Sequence, residues 1–317
     1  MRFFENLDDS LPFFKALSSK VRIQIVKILN FEKEINLNEL ARRIGITNGA
    51  ITPHIRILEE AGIIDTKTMV AKHGVQKICS LRVEKYVIHI GHIGREFDQN
   101  SFSIELPPGQ YVDYEVTPTC GIATAERIIG VYDMPMYFSD TEHFQAQIVW
   151  FTTGFVEYEI PNYLPEHAAL AEIQFQAELG SEAAAFNNDY KSDIHFYIND
   201  LLIGKWQSPG DFGGVKGFYN PDWWAPSMNQ YGILMEFRIN KEGTFIERAK
   251  YSDITIDQLN IRPGSRIRLR LAVPEGLPNS RGLTIYGRSF GNYNSGMMIR
   301  MHYETNQEGG EDDGLLK

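Results

Sequence analysis

Cysteine is nearly absent from this chain: 317 residues hold two, Cys79 and Cys120. That rules out a disulfide framework and any Cys-x-x-Cys metal or redox motif, and it suits a reducing cytoplasm. Long apolar runs are missing too. No stretch approaches the ~18 residues of a membrane span, and the N-terminus MRFFENLDDS has no signal-peptide core. A soluble cytoplasmic protein with no membrane partner is expected. Histidine and cysteine nowhere cluster. His89 and His92 stand three apart, but their segment has no clear helical stripe and its only near carboxylates are Glu84, Glu96 and Asp98. Structural or surface roles are expected for them, as for the scattered His143 and His167. Catalytic motifs are equally scarce. Gly287-Arg288-Ser289-Phe290-Gly291 matches G-x-S-x-G, yet NYNSG follows it and cannot start the helix a nucleophile elbow needs. No metal, cofactor or catalytic residue is expected, and the chain does not read as an enzyme.

What is present is concentrated between Leu37 and Ile64, LNELARRIGITNGAITPHIRILEEAGII. Leu37, Leu40, Ala41 and Ile44 fall at i, i+3, i+4 and i+7, one face of a two-turn helix that Gly45 stops. Thr47 can cap a second helix with a buried stripe of Ile51, Ile55 and Leu58, ended by Gly62. Residues 63–70 and 75–81 then have the β-branched content of a hairpin turning at Lys72-His73-Gly74, a wing. Upstream, Ser19 can cap a helix carrying Val21, Ile25, Ile28 and Leu29, a third wall for a small core.

These residues, with ALSSKVRIQIVKIL before them, resemble the ArsR-type winged-helix transcriptional regulators of bacteria over roughly residues 10–85. The most specific part is the segment that family shows as Val-Ser-x-His-Leu-x-x-Leu-x-x-Ala-Gly-Leu, whose places are held here by Ile51, Thr52, His54, Ile55, Leu58, Ala61 and Gly62. The resemblance implies a homodimer on a palindromic double-stranded DNA site; the segment Phe3 to Leu17, with Phe13, Phe14 and Leu17 close together, is the expected local dimer surface. Two departures qualify it. The family's arsenic and zinc sensors use paired cysteines on the helix before the recognition helix, and NELARRI has none, so thiolate sensing there is excluded. Pro53 stands where the family commonly has a basic or polar residue. Either the recognition helix bends there, or it starts late with Thr52 as cap and Pro53 in its first turn.

With the apolar stripe buried, steps of 100° turn Gly49, Thr52, Pro53 and Arg56 outward, with Asn48 and His54 at the flanks. The start of a recognition helix reaches base edges. Asn48 can pair with adenine, Thr52 can meet a thymine methyl or a phosphate, and Arg56 can reach guanine or the backbone. Asn48, Thr52, His54 and Arg56 are therefore the expected DNA contacts, with Lys67, Lys72, His73 and Lys77 tracking phosphate from the wing. A solvated side chain is the alternative for each. Charge divides along the same line: residues 1–85 carry 14 Lys and Arg against 10 Asp and Glu, a net of +4, and residues 86–317 carry 17 against 31, a net of −14. A mildly basic head on an acidic body fits one end on DNA, although +4 alone lies within ordinary scatter.

The chain is too long for this module alone. Residues 1–85 are expected to form the DNA-binding domain, 86–100 a connector open to helix or strand, 101–303 a β-sandwich and 304–317 a disordered acidic tail. The sandwich reading rests on period-two runs. Ile173, Phe175, Ala177 and Leu179 alternate with Glu172, Gln174, Gln176 and Glu178, giving one dry and one wet face, and Ile267, Leu269, Leu271 and Val273 alternate with Arg266, Arg268 and Arg270. Residues 194–206 read as a hairpin turning at Asn199-Asp200. Further strands are expected at 101–106, 111–117, 147–151, 231–239, 283–286 and 298–303. About ten short strands without long helices between them make a multidomain α+β chain, a winged helix-turn-helix followed by an all-β, jelly-roll-like sandwich.

Ser208 to Asn229 is the longest interruption among these strands and carries Phe212, Phe218, Tyr219, Trp223 and Trp224 amid glycines and prolines. Two readings stand side by side. The loop can fold back so that its tryptophans plug the sandwich. Alternatively Trp223, Trp224 and Tyr219, with Asp222 and Asp211, can stack on and hydrogen-bond a small molecule such as a saccharide. The leading functional reading is a sequence-specific regulator whose sandwich senses such an effector. The other is a regulator whose sandwich only dimerises or docks a partner.

Overall fold

The computed structural model describes residues 2–4, 7–71, 74–82, 86–88, 100–247 and 249–305. The chain divides into two compact units, Met1–Glu96 and Phe97–Lys317.

In the first unit the helical spacings fold as read. Helices α1 (Leu7–Leu17), α2 (Lys20–Glu32), α3 (Leu37–Ile44) and α4 (Asn48–Glu60) surround a core of Ala16, Ile25, Leu29, Leu40, Ala41, Ile51, Ile55 and Leu58. Leu37, Ile44, Val21 and Ile28 pack against it half-buried. Gly45, at φ 81°, closes α3, and the Ile46 N–H returns to the Ala41 carbonyl. Gly62, at φ 68°, closes α4 with a Schellman pair, Gly62 N–H to Glu59 O and Ile63 N–H to Leu58 O. Ser19 does occupy the N-cap of α2, but its side chain makes no cap hydrogen bond.

Among the described residues five strands complete this unit: β1 (Arg2–Phe4), β2 (Glu34–Asn36), β3 (Ile64–Ala71), β4 (Gly74–Leu81) and β5 (Tyr86–Ile88). β3 and β4 are the antiparallel wing, and β2 adds to β4 with Ile35 opposite Cys79. The expected turn residues Lys72 and His73 lie outside the described residues. The first three connector residues form β5, parallel to β1. The remainder of the connector, with His89 and His92, lies outside the described residues apart from Asn100.

The second unit contains β6 (Ser101–Leu106), β7 (Asp113–Val116), β8 (Cys120–Ala123), β9 (Ile148–Phe151), β10 (Gly154–Ile160), β11 (Ala168–Gly180), β12 (Ser192–Ile198), β13 (Leu201–Ser208), β14 (Ile233–Asn240), β15 (Gly243–Ile246), β16 (Ala249–Ser252), β17 (Ile267–Val273), β18 (Leu283–Tyr286) and β19 (Met297–Thr305). They form two antiparallel sheets. One has the order β13-β12-β17-β10-β7, and the other β16-β15-β14-β11-β18-β9-β8, with β19 bridging β11 and β6. β11 pairs with β19 through Gln176 and then with β18 from Glu178 onward, so one long strand serves two partners on the same edge.

Phe196 of the five-stranded sheet meets Phe237 (4.4 Å) and Phe175 (5.9 Å) of the other, and the apolar faces of β10, β12, β14, β17 and β19 fill one continuous core. The β12–β13 hairpin turns at Asn199 and Asp200, both at positive φ (48° and 67°), the handedness a two-residue hairpin needs. Of the expected acidic tail, Glu304 and Thr305 extend β19, and 306–317 lies outside the described residues.

One expected wet face is not wet. Glu172, Gln174 and Gln176 are half-buried, but Glu178 is 2% exposed. Beyond β11 the outer face of the large sheet is roofed by a second core of Ala123, Ile148, Trp150, Trp224, Tyr286 and Phe290. The roof supplies what the carboxyl needs: its oxygens accept from the N–H groups of Gly232, Asn292 and Tyr293. Gly291 leaves the space that carboxyl fills.

Candidate nucleic-acid interface

α4 begins at Asn48, with the Thr47 hydroxyl accepting from Ala50 N–H at 3.2 Å. It runs through Pro53 to Glu60, so the late start at Thr52 is overturned: Thr47 already satisfies an N-terminal donor, and Thr52 turns its hydroxyl back to the Asn48 carbonyl at 2.7 Å. Ile51, Ile55 and Leu58 face the core, while Asn48, Gly49, Thr52, Pro53 and Arg56 are exposed. This is the outward face derived from the spacing.

Several of the expected contacts have present partners. Asn48 donates to the Asn38 side-chain oxygen of α3 at 2.8 Å. Arg56 pairs with Glu60 one turn on, at 2.7 Å, and this carboxylate raises its already high pKa. His54 is half-buried, and its Nδ1 is enclosed without a hydrogen-bond partner. On the wing, Lys67 meets Glu34 at 2.5 Å and Lys77 meets Glu59 at 3.5 Å. Lys72 lies outside the described residues. All these ion pairs are solvent-exposed and screened by water, so each can be exchanged for phosphate. Arg42 and Arg43 at the end of α3 were not among the expected contacts. They share Glu39, holding its carboxyl down at about 2, and Arg42 keeps most of its surface exposed. Their signal in the sequence is a basic last turn on the helix that precedes α4.

The residues proposed for a small molecule separate. Trp223 is 37% exposed, with its indole N–H on the Ala125 carbonyl at 2.6 Å. Trp224 is 3% exposed, donates to Asn229 O and packs edge-on to Trp150 (5.8 Å) and Phe290 (5.0 Å). Asp222 is exposed and pairs with Lys216 at 2.6 Å, which lowers its pKa. Tyr219 is half-buried against Phe218. Asp211 is fully buried: one oxygen accepts from Ala183 N–H, the other has no partner, and burial pushes its pKa up to about 7. A surface ligand would thus meet Trp223 and Asp222 but neither Trp224 nor Asp211.

Three further groups were weighed in the sequence. In the G-x-S-x-G stretch Ser289 sits at φ 70° after β18, but an irregular loop follows, Phe290 is in the second core, and Arg288 is clamped to Glu105. His143 is buried, stacked on Tyr111 at 4.5 Å, with Nδ1 2.7 Å from Gly109 O. Burial raises the two thiols to about 11 for Cys79 and about 12 for Cys120.

Residues 17–67 match a family model described as a helix-turn-helix domain. An uncharacterized protein of Methanocaldococcus jannaschii is 31% identical over 67 residues, which span 21% of this chain and 73% of that protein. The chain belongs to the helix-turn-helix family. With its β3–β4 wing this helix-turn-helix protein has a winged helix-turn-helix architecture, a DNA-binding one, followed by an extension that is mostly β. Among solved structures, HlyU from Vibrio cholerae is 21% identical, matching 24% of this chain and 77% of its own with a TM-score of 0.22. NolR from Sinorhizobium fredii is 19% identical over 24% of this chain and 72% of its own, TM-score 0.21. The CBM36-1 domain of a multidomain xylanase from the hindgut metagenome of Trinervitermes trinervoides matches 64% of this chain and 96% of its own at 9% identity, TM-score 0.27. No helix among the described residues is long and apolar enough to cross a membrane.

Proposed function

We propose that the helix-turn-helix protein is a sequence-specific transcriptional regulator, with α4 in the DNA major groove and the wing on phosphate. The observation that carries this reading is the outward face of α4. Asn48, Thr52 and Arg56 stand exposed in and beyond its first turn while Ile51, Ile55 and Leu58 anchor the opposite side. His54 sets the flank of that face, and Lys67, Lys72 and Lys77 supply phosphate contacts. Selection of duplex sites from a random pool by the full-length chain tests it: an enriched sequence supports the reading, and an unenriched pool contradicts it.

The protein acts as a homodimer in this proposal. Leu7, Leu11 and Phe14, at i, i+4 and i+7 along α1, are 46%, 48% and 45% exposed, an apolar stripe that a second copy would cover. Phe13 and Leu17, by contrast, pack half-buried against the unit's own core.

For the β-sandwich the finer proposal is an effector sensor that binds a small molecule, a saccharide being the class suited to an exposed indole beside hydrogen-bonding groups. Trp223 with Asp222 supports it. A second reading, docking of a partner with no ligand, is favoured by one observation: Val131, Tyr132, Met134, Met136 and Phe144 lie exposed within fourteen residues. Thermal melting of the full chain followed by tryptophan fluorescence separates them, since all four tryptophans, Trp150, Trp206, Trp223 and Trp224, belong to this unit. A saccharide that raises the midpoint, and no longer does so in Trp223→Ala, supports sensing. A flat response across a saccharide panel supports docking.

A further inference from the structure

Gly49 is the second residue of α4 and is exposed. Nothing among the described residues calls for a glycine there. Its φ is not positive, and a Cβ built on it would meet no atom within 4 Å. Glycine in a helix costs stability relative to alanine through its extra backbone freedom, and here that cost returns neither a turn nor a packing contact. The remaining physical reason for glycine is close approach of something outside the chain.

Pro53 stands one turn further along the same helix. Proline has no N–H, so the hydrogen bond that would run from residue 53 to the carbonyl of residue 49 cannot form, and its ring crowds that carbonyl. The neighbouring Asn48 carbonyl does receive an extra donor, the Thr52 hydroxyl. The Gly49 carbonyl is therefore left without the donor of its own turn. It is uncovered by any side chain of its own residue, and it lies on the face opposite Ile51, Ile55 and Leu58.

We infer that the Gly49 carbonyl reads an exocyclic amino group in the major groove, adenine N6 or cytosine N4, and that Pro53 keeps it available to do so. This rests on the reading of α4 as the recognition helix. The chemistry limits the partner, because a carbonyl only accepts. In the major groove the base donors are adenine N6 and cytosine N4, whereas guanine O6 and N7 and thymine O4 accept. Each half-site should then favour adenine or cytosine over guanine or thymine at one position of the contacted strand.

The test is site selection and affinity measurement with the full-length chain, Pro53→Ala and Gly49→Ala, at one salt concentration. Pro53→Ala restores an N–H to the Gly49 carbonyl. It is expected to lose the adenine-or-cytosine preference at one position, on the order of tenfold in relative affinity, while binding to unselected duplex, set by phosphate contacts, stays the same. Gly49→Ala is expected to melt no lower than the parent, yet to bind the selected site on the order of tenfold more weakly, because its methyl group enters the groove. Unchanged preference at every position in Pro53→Ala, or parental affinity in Gly49→Ala, overturns the inference while leaving the DNA-binding reading intact. A parent chain that enriches no sequence overturns both.

Discussion

Arg56 and Glu60 illustrate how little a surface ion pair fixes. With their side chains 78% and 60% exposed, the attraction between them is screened by water and opposed by side-chain entropy. Arg56→Ala should therefore leave the unfolding midpoint essentially unchanged and yet weaken binding to the selected site. A salt-matched gel shift with undiminished affinity would remove Arg56 from the interface. Glu60→Gln should act in the opposite direction, freeing the guanidinium, tightening binding and steepening its salt dependence. Gly49→Ala, at an open helical position, should raise stability by up to about 1 kcal/mol, which calorimetry on the free protein can read.

At the scale of elements, the two ends of the aromatic loop make different claims. Trp224 fills the second core with Trp150, Tyr286 and Phe290, so Trp224→Ala should cost about 3–5 kcal/mol and lower the chemical-denaturation midpoint. Trp223, with over a third of its surface in water, should cost far less, and equal losses would mean that both tryptophans plug the fold. The helices were legible because stripe and cap are local signals: Leu40, Ala41 and Gly45, or Thr47, Ile51 and Gly62, lie within a few turns of one another. Other elements depend on distant chain. β2 is three residues that become a strand only against β4, and all four residues of β8 are buried, which removes alternation. β10 adds to the ten expected strands although Val156, Tyr158 and Ile160 alternate plainly with Phe155, Glu157 and Glu159. Glu178 obeys the period of a wet face, and only Gly232, Asn292 and Tyr293, 54 to 115 positions later, make it a buried one. The candidate DNA face was legible on α4 for the same local reason, while the roofing of Trp224 and Asp211 was not, being set by contacts across the sheet.

Over the whole molecule, charge falls into a basic head of +4 and an acidic body of −14, and part of the body's acid is buried. Burial is the largest cause raising Glu178 to about 8 and Asp211 to about 7, and it drives Glu182 in the same direction. Unfolded, such groups titrate near 4. The folded form therefore holds their protons more tightly, and the stability this gives is fully present below about pH 4 and lost as pH rises through 7 to 8. Tryptophan-fluorescence melting of the β unit should fall between pH 6 and pH 9, and Glu178→Gln should flatten the fall; a midpoint that holds or rises to pH 9 would contradict the assignment. The central claim is that α4 reads DNA sequence for a two-fold dimer, and site selection by the full-length chain tests it most directly. Enrichment of a two-fold symmetric sequence with half-sites about one helical turn apart, roughly 10 base pairs, is the predicted result. A pool that stays random after selection would contradict it.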